Sequence, residues 1–319
     1  MRWLPALDEG FRDRLLAQDD ATCGPWLDSV SGICEDVARG WQLSRAGPPA
    51  YGGTSIVLPV TTHDDQPAVL KLVSPIADAQ AEHRMLVTLD GHGAVEVHDA
   101  DLEHSALLLE QVTGPTLAEE TDRVGPLGTA SFAGSVARRI AVVPAPHDAP
   151  QLADGAERWL AQFEAQHDTA RHVGIALDAE TFAAAVDGVE RLGRTRSATL
   201  THGDLSVENI MRRSDGPWIA IDPDFLAGPV EHEAHTILRS LLTSIVASSN
   251  PITAMADAAR AFCSASGADP GLALDISHAR FAASYYWEAQ HKGDPENVEN
   301  LRVATWYAAE LRRRHARDR

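Results

Sequence analysis

The sequence predicts an α+β fold in two lobes, a small β-rich part over residues 1–113 and a larger, mainly helical part over residues 114–319. Three observations predict it. A chain of 319 residues is long enough to bury two cores. Strand-like runs concentrate before Gly114, and helical periodicity dominates after it. At 44% apolar and 23% charged residues, the composition is that of an ordinary globular protein.

From Phe11 to Trp41, apolar residues recur at helical spacing (Leu15, Leu16, Trp26, Leu27, Val30, Ile33, Val37), and Gly24-Pro25 predicts a break between two short helices. Ser55–Val60 and Ala68–Val73 alternate as strands, with His63–Gln66 as the hairpin loop between them. Ser74-Pro75 has the chemistry of an N-cap and first helical residue, for a helix reaching about Leu89. Ala94–His98 and Ala106–Val112 read as two more strands, the second ended by Thr113-Gly114-Pro115. Beyond this point helices are expected at 159–166, 180–192, 234–247, 252–266, 272–290 and 298–315, interrupted only by the strand-like stretch 198–221.

A net charge of −19 opposes binding to nucleic acid or to an anionic membrane and favours a cationic ligand. No run approaches the roughly 18 apolar residues of a membrane span, and the N-terminal residues do not read as a secretory signal. Cys23, Cys34 and Cys263 are odd in number and show no metal-binding spacing, which fits a reducing cytoplasm. Oligomeric state is left open.

The chemistry concentrates in residues 200–224, LTHGDLSVENIMRRSDGPWIAIDPD. Asp204 and Asn209 stand five apart, the spacing of a kinase catalytic loop, in which a carboxylate faces the substrate hydroxyl and the asparagine amide oxygen binds a metal ion. Asp222 follows the short apolar strand Trp218–Ile221. The midpoint between Asn209 and Asp222 falls at Asp215-Gly216, a preferred turn pair, so an antiparallel hairpin would bring both metal ligands to its open end. Pro217 argues for a turn wider than two residues. His202 is expected to pack and hydrogen-bond within the loop.

Only Lys71 and Lys292 are lysines among 27 basic residues. Lys71 sits within an apolar strand, where an ammonium needs a partner. Glu82, eleven residues on, supplies one in the manner of the lysine–glutamate pair that holds nucleotide phosphates in kinases. Gly52-Gly53 could let backbone N–H groups approach phosphate, a plain turn being the equal alternative. Glu110 to Val112 stand where a hinge would pair with adenine.

With these residues in hand, the chain resembles the aminoglycoside phosphotransferase-like kinases, and within them the streptomycin and hydroxyurea phosphotransferase branch. The likeness runs from about Ser55 through AVLKLVSP, GHGAVEVHDADLEHSALLLEQV, VARRIAVVPAP, LTHGDLSVENIM and WIAIDPDFLAG. It implies a two-lobed protein-kinase-like fold, ATP, Mg2+ and phosphorylation of a small-molecule hydroxyl. By position it implies Asp204 as base, Asn209 and Asp222 as metal ligands, and Lys71 with Glu82 at the phosphates. The sequence departs from the branch at Ser206-Val207 and in DFLAGPVEHE after Ile221-Asp222-Pro223, near the expected acceptor. Glu231 and Glu233, with Glu288, are the nominated carboxylates for a cationic acceptor. A metabolic kinase of a sugar or other small alcohol, or a catalytically silent binding protein, are the alternatives.

Overall fold

In the computed structural model, which describes residues 3–4, 6–214 and 216–317, the chain divides into two compact units, Met1–Thr113 and Gly114–Arg319. The first opens with helix α1 (Glu9–Gly40) and continues through strands β1 (Ser44–Arg45), β2 (Ala50–Tyr51), β3 (Ser55–Thr61) and β4 (Pro67–Val73). Helix α2 (Ala79–Leu89) and strands β5 (Val97–Asp101) and β6 (Ala106–Glu110) complete it. The sheet is antiparallel in the order β1-β3-β4-β6-β5, with β2 also on β3. The apolar stripe of α1 packs on the sheet: Phe11, Leu15, Leu27, Val30 and Val37 share one core with Ile56, Leu58, Leu70 and Leu72.

Four of the expected boundaries move, two of them through local capping chemistry. The N-terminal helical region breaks at Asp19 (φ −158°, ψ 90°) and runs through Gly24-Pro25. Asp19 accepts from Thr22 N at 3.1 Å and so caps the segment that follows, outweighing the breaker pair. Helix α2 starts after Asp78, whose carboxylate accepts from Ala81 N at 2.9 Å, rather than at Ser74-Pro75. The ladder of β5 begins at Val97, and β6 ends at Glu110, leaving Val112 outside the strand.

The second unit contains α3 (Leu117–Ile140), α4 (Ala156–Val173), α5 (Ala179–Gly193), the short strands β7 (Leu200–Thr201), β8 (Ile210–Arg212), β9 (Trp218–Ala220) and β10 (Leu226–Ala227), then α6 (Glu233–Ser240), α7 (Leu242–Val246), α8 (Pro251–Ser266), α9 (Pro270–Gln290) and α10 (Pro295–Arg317). The sequence reading does not anticipate α3. Its pattern is masked by Gly125-Pro126, where φ reaches +72° at Gly125, and by a packing face of small residues, Ala130, Ala133 and Ala137. Those small residues let α3 approach α8 closely: a Cβ at Gly134 would lie 2.6 Å from the Phe262 carbonyl oxygen. The helix expected at 234–247 is divided at Leu241 into α6 and α7. No described helix is long and apolar enough to cross a membrane. All three cysteines are buried free thiols, and burial raises Cys34 and Cys263 to about 12.

Candidate active site

Strands β7 and β10 pair antiparallel, Thr201 against Leu226, and so close residues 202–225 into a compact loop region. His202 is buried beneath it. Its Nε2–H donates to the Ile221 carbonyl at 2.9 Å, because a carbonyl can only accept, and this leaves Nδ1 to accept from Asp204 N at 3.3 Å. His202 therefore stitches the two ends of the loop together. Gly203 is required twice over. Its φ is +90°, and a Cβ there would stand 2.7 Å from an Asp224 carboxylate oxygen.

Glu233 holds the same loop from below. It is 1% exposed and accepts from Thr201 Oγ1 at 2.5 Å, Gly203 N at 2.7 Å and Leu205 N at 3.2 Å. Burial alone would raise its pKa. The hydrogen bonds from Thr201 Oγ1 and Gly203 N favour the ionised form, and the carboxyl is held below its ordinary value.

With its neighbours satisfied from beneath, Asp204 stands exposed at the loop's crest. Its carboxylate accepts no hydrogen bond from the described residues, while its backbone carbonyl accepts from Ser206 N at 2.9 Å and from the Asn209 side-chain amide at 3.0 Å. That second bond fixes the Asn209 amide and leaves its Oδ1 for a ligand. Strands β8 and β9 form the antiparallel hairpin, paired Ile210 to Ala220 and Arg212 to Trp218, and Ile221 N donates to the Asn209 carbonyl at 2.9 Å. The register is shifted by one from the expected pairing, so Asn209 faces Ile221 and Asp222 is the first residue beyond the ladder. Asp222 there takes φ +57°, a conformation rare for a non-glycine residue, and is solvent-exposed. Of the turn, Gly216 N donates to Arg213 O at 3.0 Å and Arg213 N to Pro217 O at 3.2 Å. Asp215 lies outside the described residues.

In the first unit, Lys71 occupies the central strand β4, between Val57 of β3 and Leu107 of β6. It is 4% exposed and its Nζ donates to both Glu82 oxygens, at 2.6 and 2.7 Å. A bidentate partner on α2 is what makes a buried ammonium tolerable. Gly52 N donates to Ser55 O at 2.9 Å, so that amide closes a turn instead of facing a phosphate; the space around Gly53 is open. Glu110 pairs with Ala68 at the end of the sheet, and its N–H donates to Glu96 O at 2.9 Å. Val112 is half-buried in the coil just before the division of the units.

Beside Asp204 lies a cavity of about 320 Å3, lined by Asp204 and Glu208 from the loop, by His235, Thr236 and Arg239 from α6, and by Arg280 from α9. The three nominated acceptor carboxylates are not part of its lining. Glu233 faces inward to the loop amides. Glu231 accepts from Asp269 N at 2.7 Å at the start of α9. Glu288 stands 3.5 Å from Arg239 and offsets its charge. The guanidinium groups of Arg239 and Arg280 line the cavity instead. The signal for Arg280 was present in the sequence as a charge inside the apolar run of α9, the same kind of signal that singles out Lys71.

A sequence model described as "Aminoglycoside/hydroxyurea antibiotic resistance kinase" matches residues 40–291. The chain belongs to this family. It is a small-molecule kinase, a phosphotransferase of the antibiotic-resistance class, with ATP as phosphoryl donor. It is 30% identical over 272 residues to a streptomycin 6-kinase of Streptomyces glaucescens, covering 83% of this chain and 85% of that one. To a hydroxyurea phosphotransferase of Kitasatospora aureofaciens it is 31% identical over 204 residues, 64% of this chain and 59% of that one. Among solved structures, an ethanolamine kinase of Plasmodium vivax matches with a TM-score of 0.55 at 12% identity, covering 96% and 95% of the two chains. A macrolide 2'-phosphotransferase of Brachybacterium faecium matches with a TM-score of 0.52 at 18% identity, covering 87% and 98%. These likenesses show a two-lobed kinase-like fold.

Proposed function

We propose that this kinase transfers the γ-phosphoryl group of ATP, with Mg2+, to a hydroxyl of an aminocyclitol-type antibiotic, with Asp204 as the catalytic base. The supporting observation is the loop itself, in which Glu233 and His202 hold the backbone amides of Gly203, Asp204 and Leu205 from beneath and leave the Asp204 carboxylate exposed beside the cavity. Asp204 orients the acceptor hydroxyl and takes its proton late, as phosphoryl transfer through a loose transition state requires. Asn209 Oδ1 and Asp222 fit Mg2+, which uses one or two protein oxygens and completes its shell with phosphate and water. When bound, the ion neutralises charge on the phosphates. Lys71, held by Glu82, is assigned to the α/β-phosphate oxygens, and the strand end from Glu110 to Val112 to adenine.

The relatives named for streptomycin and hydroxyurea support a hydroxylated antibiotic as acceptor, and the charge of −19 favours one that carries cationic groups. The test is ADP release by the purified protein with streptomycin, hydroxyurea, other aminocyclitols, sugars and nucleosides. ADP formation with an aminocyclitol, dependent on Mg2+, sustains the reading. Turnover with sugars alone would move the protein to the metabolic kinases.

A further inference from the structure

We infer that Arg280 is a substrate-positioning residue that binds oxygen atoms beside the reacting hydroxyl, so that the cavity at Asp204 admits a neutral polyol edge and excludes an ammonium or guanidinium group. This rests on the kinase reading above and names the part of the acceptor that enters the site.

Arg280 projects from α9 into the cavity that Asp204 lines. Its Nη1 is pinned from behind, against His232 Nε2 at 2.9 Å, the His232 carbonyl at 3.3 Å and Thr236 Oγ1 at 3.4 Å. Because arginine only donates, His232 Nε2 must accept, and His232 is neutral. That agrees with the fall of its pKa to about 3 under burial and the adjacent guanidinium. The Nε and Nη2 groups of Arg280 take no hydrogen-bond partner among the described residues. A planar guanidinium carries five N–H donors in a fixed fork. With one corner anchored, the remaining edge is a rigid pair of donors beside the catalytic carboxylate.

The complementary ligand is a group with oxygen acceptors at adjacent positions, such as two vicinal hydroxyls on a ring. One hydroxyl would meet Asp204 and its neighbour the Arg280 edge. A volume of about 320 Å3 suits one ring more than a whole antibiotic. Arg239, on the same lining, has its charge offset by Glu288 at 3.5 Å, so the sorting falls to Arg280: a cationic substituent set against its donor edge would meet like charge and must point away from it.

The test uses streptomycin as acceptor with wild type, Arg280→Gln and Arg280→Lys, with KM for ATP as control and thermal unfolding to verify folding. The inference predicts a streptomycin KM raised about tenfold or more in both variants, with the ATP KM within twofold. A streptomycin KM within twofold of wild type in a folded variant, or a parallel rise in both KM values, overturns it. A second arm needs no variant: myo-inositol should compete with streptomycin on the wild-type enzyme and trans-1,2-diaminocyclohexane should not, and the reverse order overturns the inference. If the wild type turns over no acceptor, the kinase reading is what fails. The inference is then decided by ligand-detected NMR, where myo-inositol binding seen in wild type and lost in Arg280→Gln sustains it, and absent or equal binding refutes it.

Discussion

Glu233 shows how the role of a residue depends on which way its side chain faces. By position it is a carboxylate close to the acceptor; by geometry it is a buried brace that gathers Thr201, Gly203 and Leu205 beneath Asp204. Glu233→Gln replaces one acceptor oxygen by an amide donor facing N–H groups. The expected result is a loss of about 1–3 kcal/mol in chemical unfolding, with kcat falling while the ATP KM changes little. Unchanged stability and a changed acceptor KM would return Glu233 to the substrate. Gly203→Ala should impair the same loop, since the new Cβ meets Asp224 and φ +90° is strained for alanine. A variant with wild-type kcat would show that the loop tolerates displacement.

At the scale of elements, the hairpin β8–β9 is held against the chain that enters the second unit. A Cβ on Gly114 would lie 2.0 Å from the Arg212 carbonyl oxygen, and Arg212 N donates to Pro115 O at 3.0 Å. Gly114→Ala therefore forces backbone apart beside the hairpin proposed to carry the Mg2+ ligands, and a lowered Tm with weaker Mg2+ dependence is expected. A Tm equal to wild type would show that the segment shifts at no cost. Sequence pattern revealed the β3–β4 hairpin as alternating strands, α4, α5, α8 and α10 as helices with one buried face, and α9 as a long apolar run buried on most sides. Capping and close packing decided what it did not reveal. Asp19 and Asp78 set helix starts by hydrogen bonds stronger than the turn signals nearby, and α3 packs through alanines and Gly134, which carry little hydropathy. That Asp204 and Asn209 meet was legible because five residues of one loop separate them, and the Asn209 amide donates to the Asp204 carbonyl at 3.0 Å. The cavity lining from α6 and α9 was not, since its members lie up to 76 residues from Asp204 in the chain and meet only through helix packing.

At the scale of the whole molecule, pH dependence follows from histidines that are buried in neutral form, His232, His235 and His278. Burial and adjacent arginines push His232 and His278 down to about 3, and His235 is likewise held well below its ordinary value. In the unfolded chain each would take up a proton near pH 6.5, whereas in the folded protein it does not. The unfolded state therefore binds more protons below that pH, so stability falls as pH drops from about 6.5 toward 3. Each histidine contributes up to about 1.4 kcal/mol per pH unit in that window. Urea unfolding at pH 7, 6 and 5 should show an accelerating loss, and a flat profile would mean that the histidines protonate without unfolding.

The central claim is that Asp204 is the base of a phosphoryl transfer. It is tested most directly by following conversion of streptomycin to its phosphorylated product by mass spectrometry in wild type and Asp204→Asn, alongside ATP binding by calorimetry. The account predicts a kcat lowered on the order of 10²-fold or more with ATP affinity within about twofold. A variant that keeps its kcat and loses its hold on ATP would contradict it.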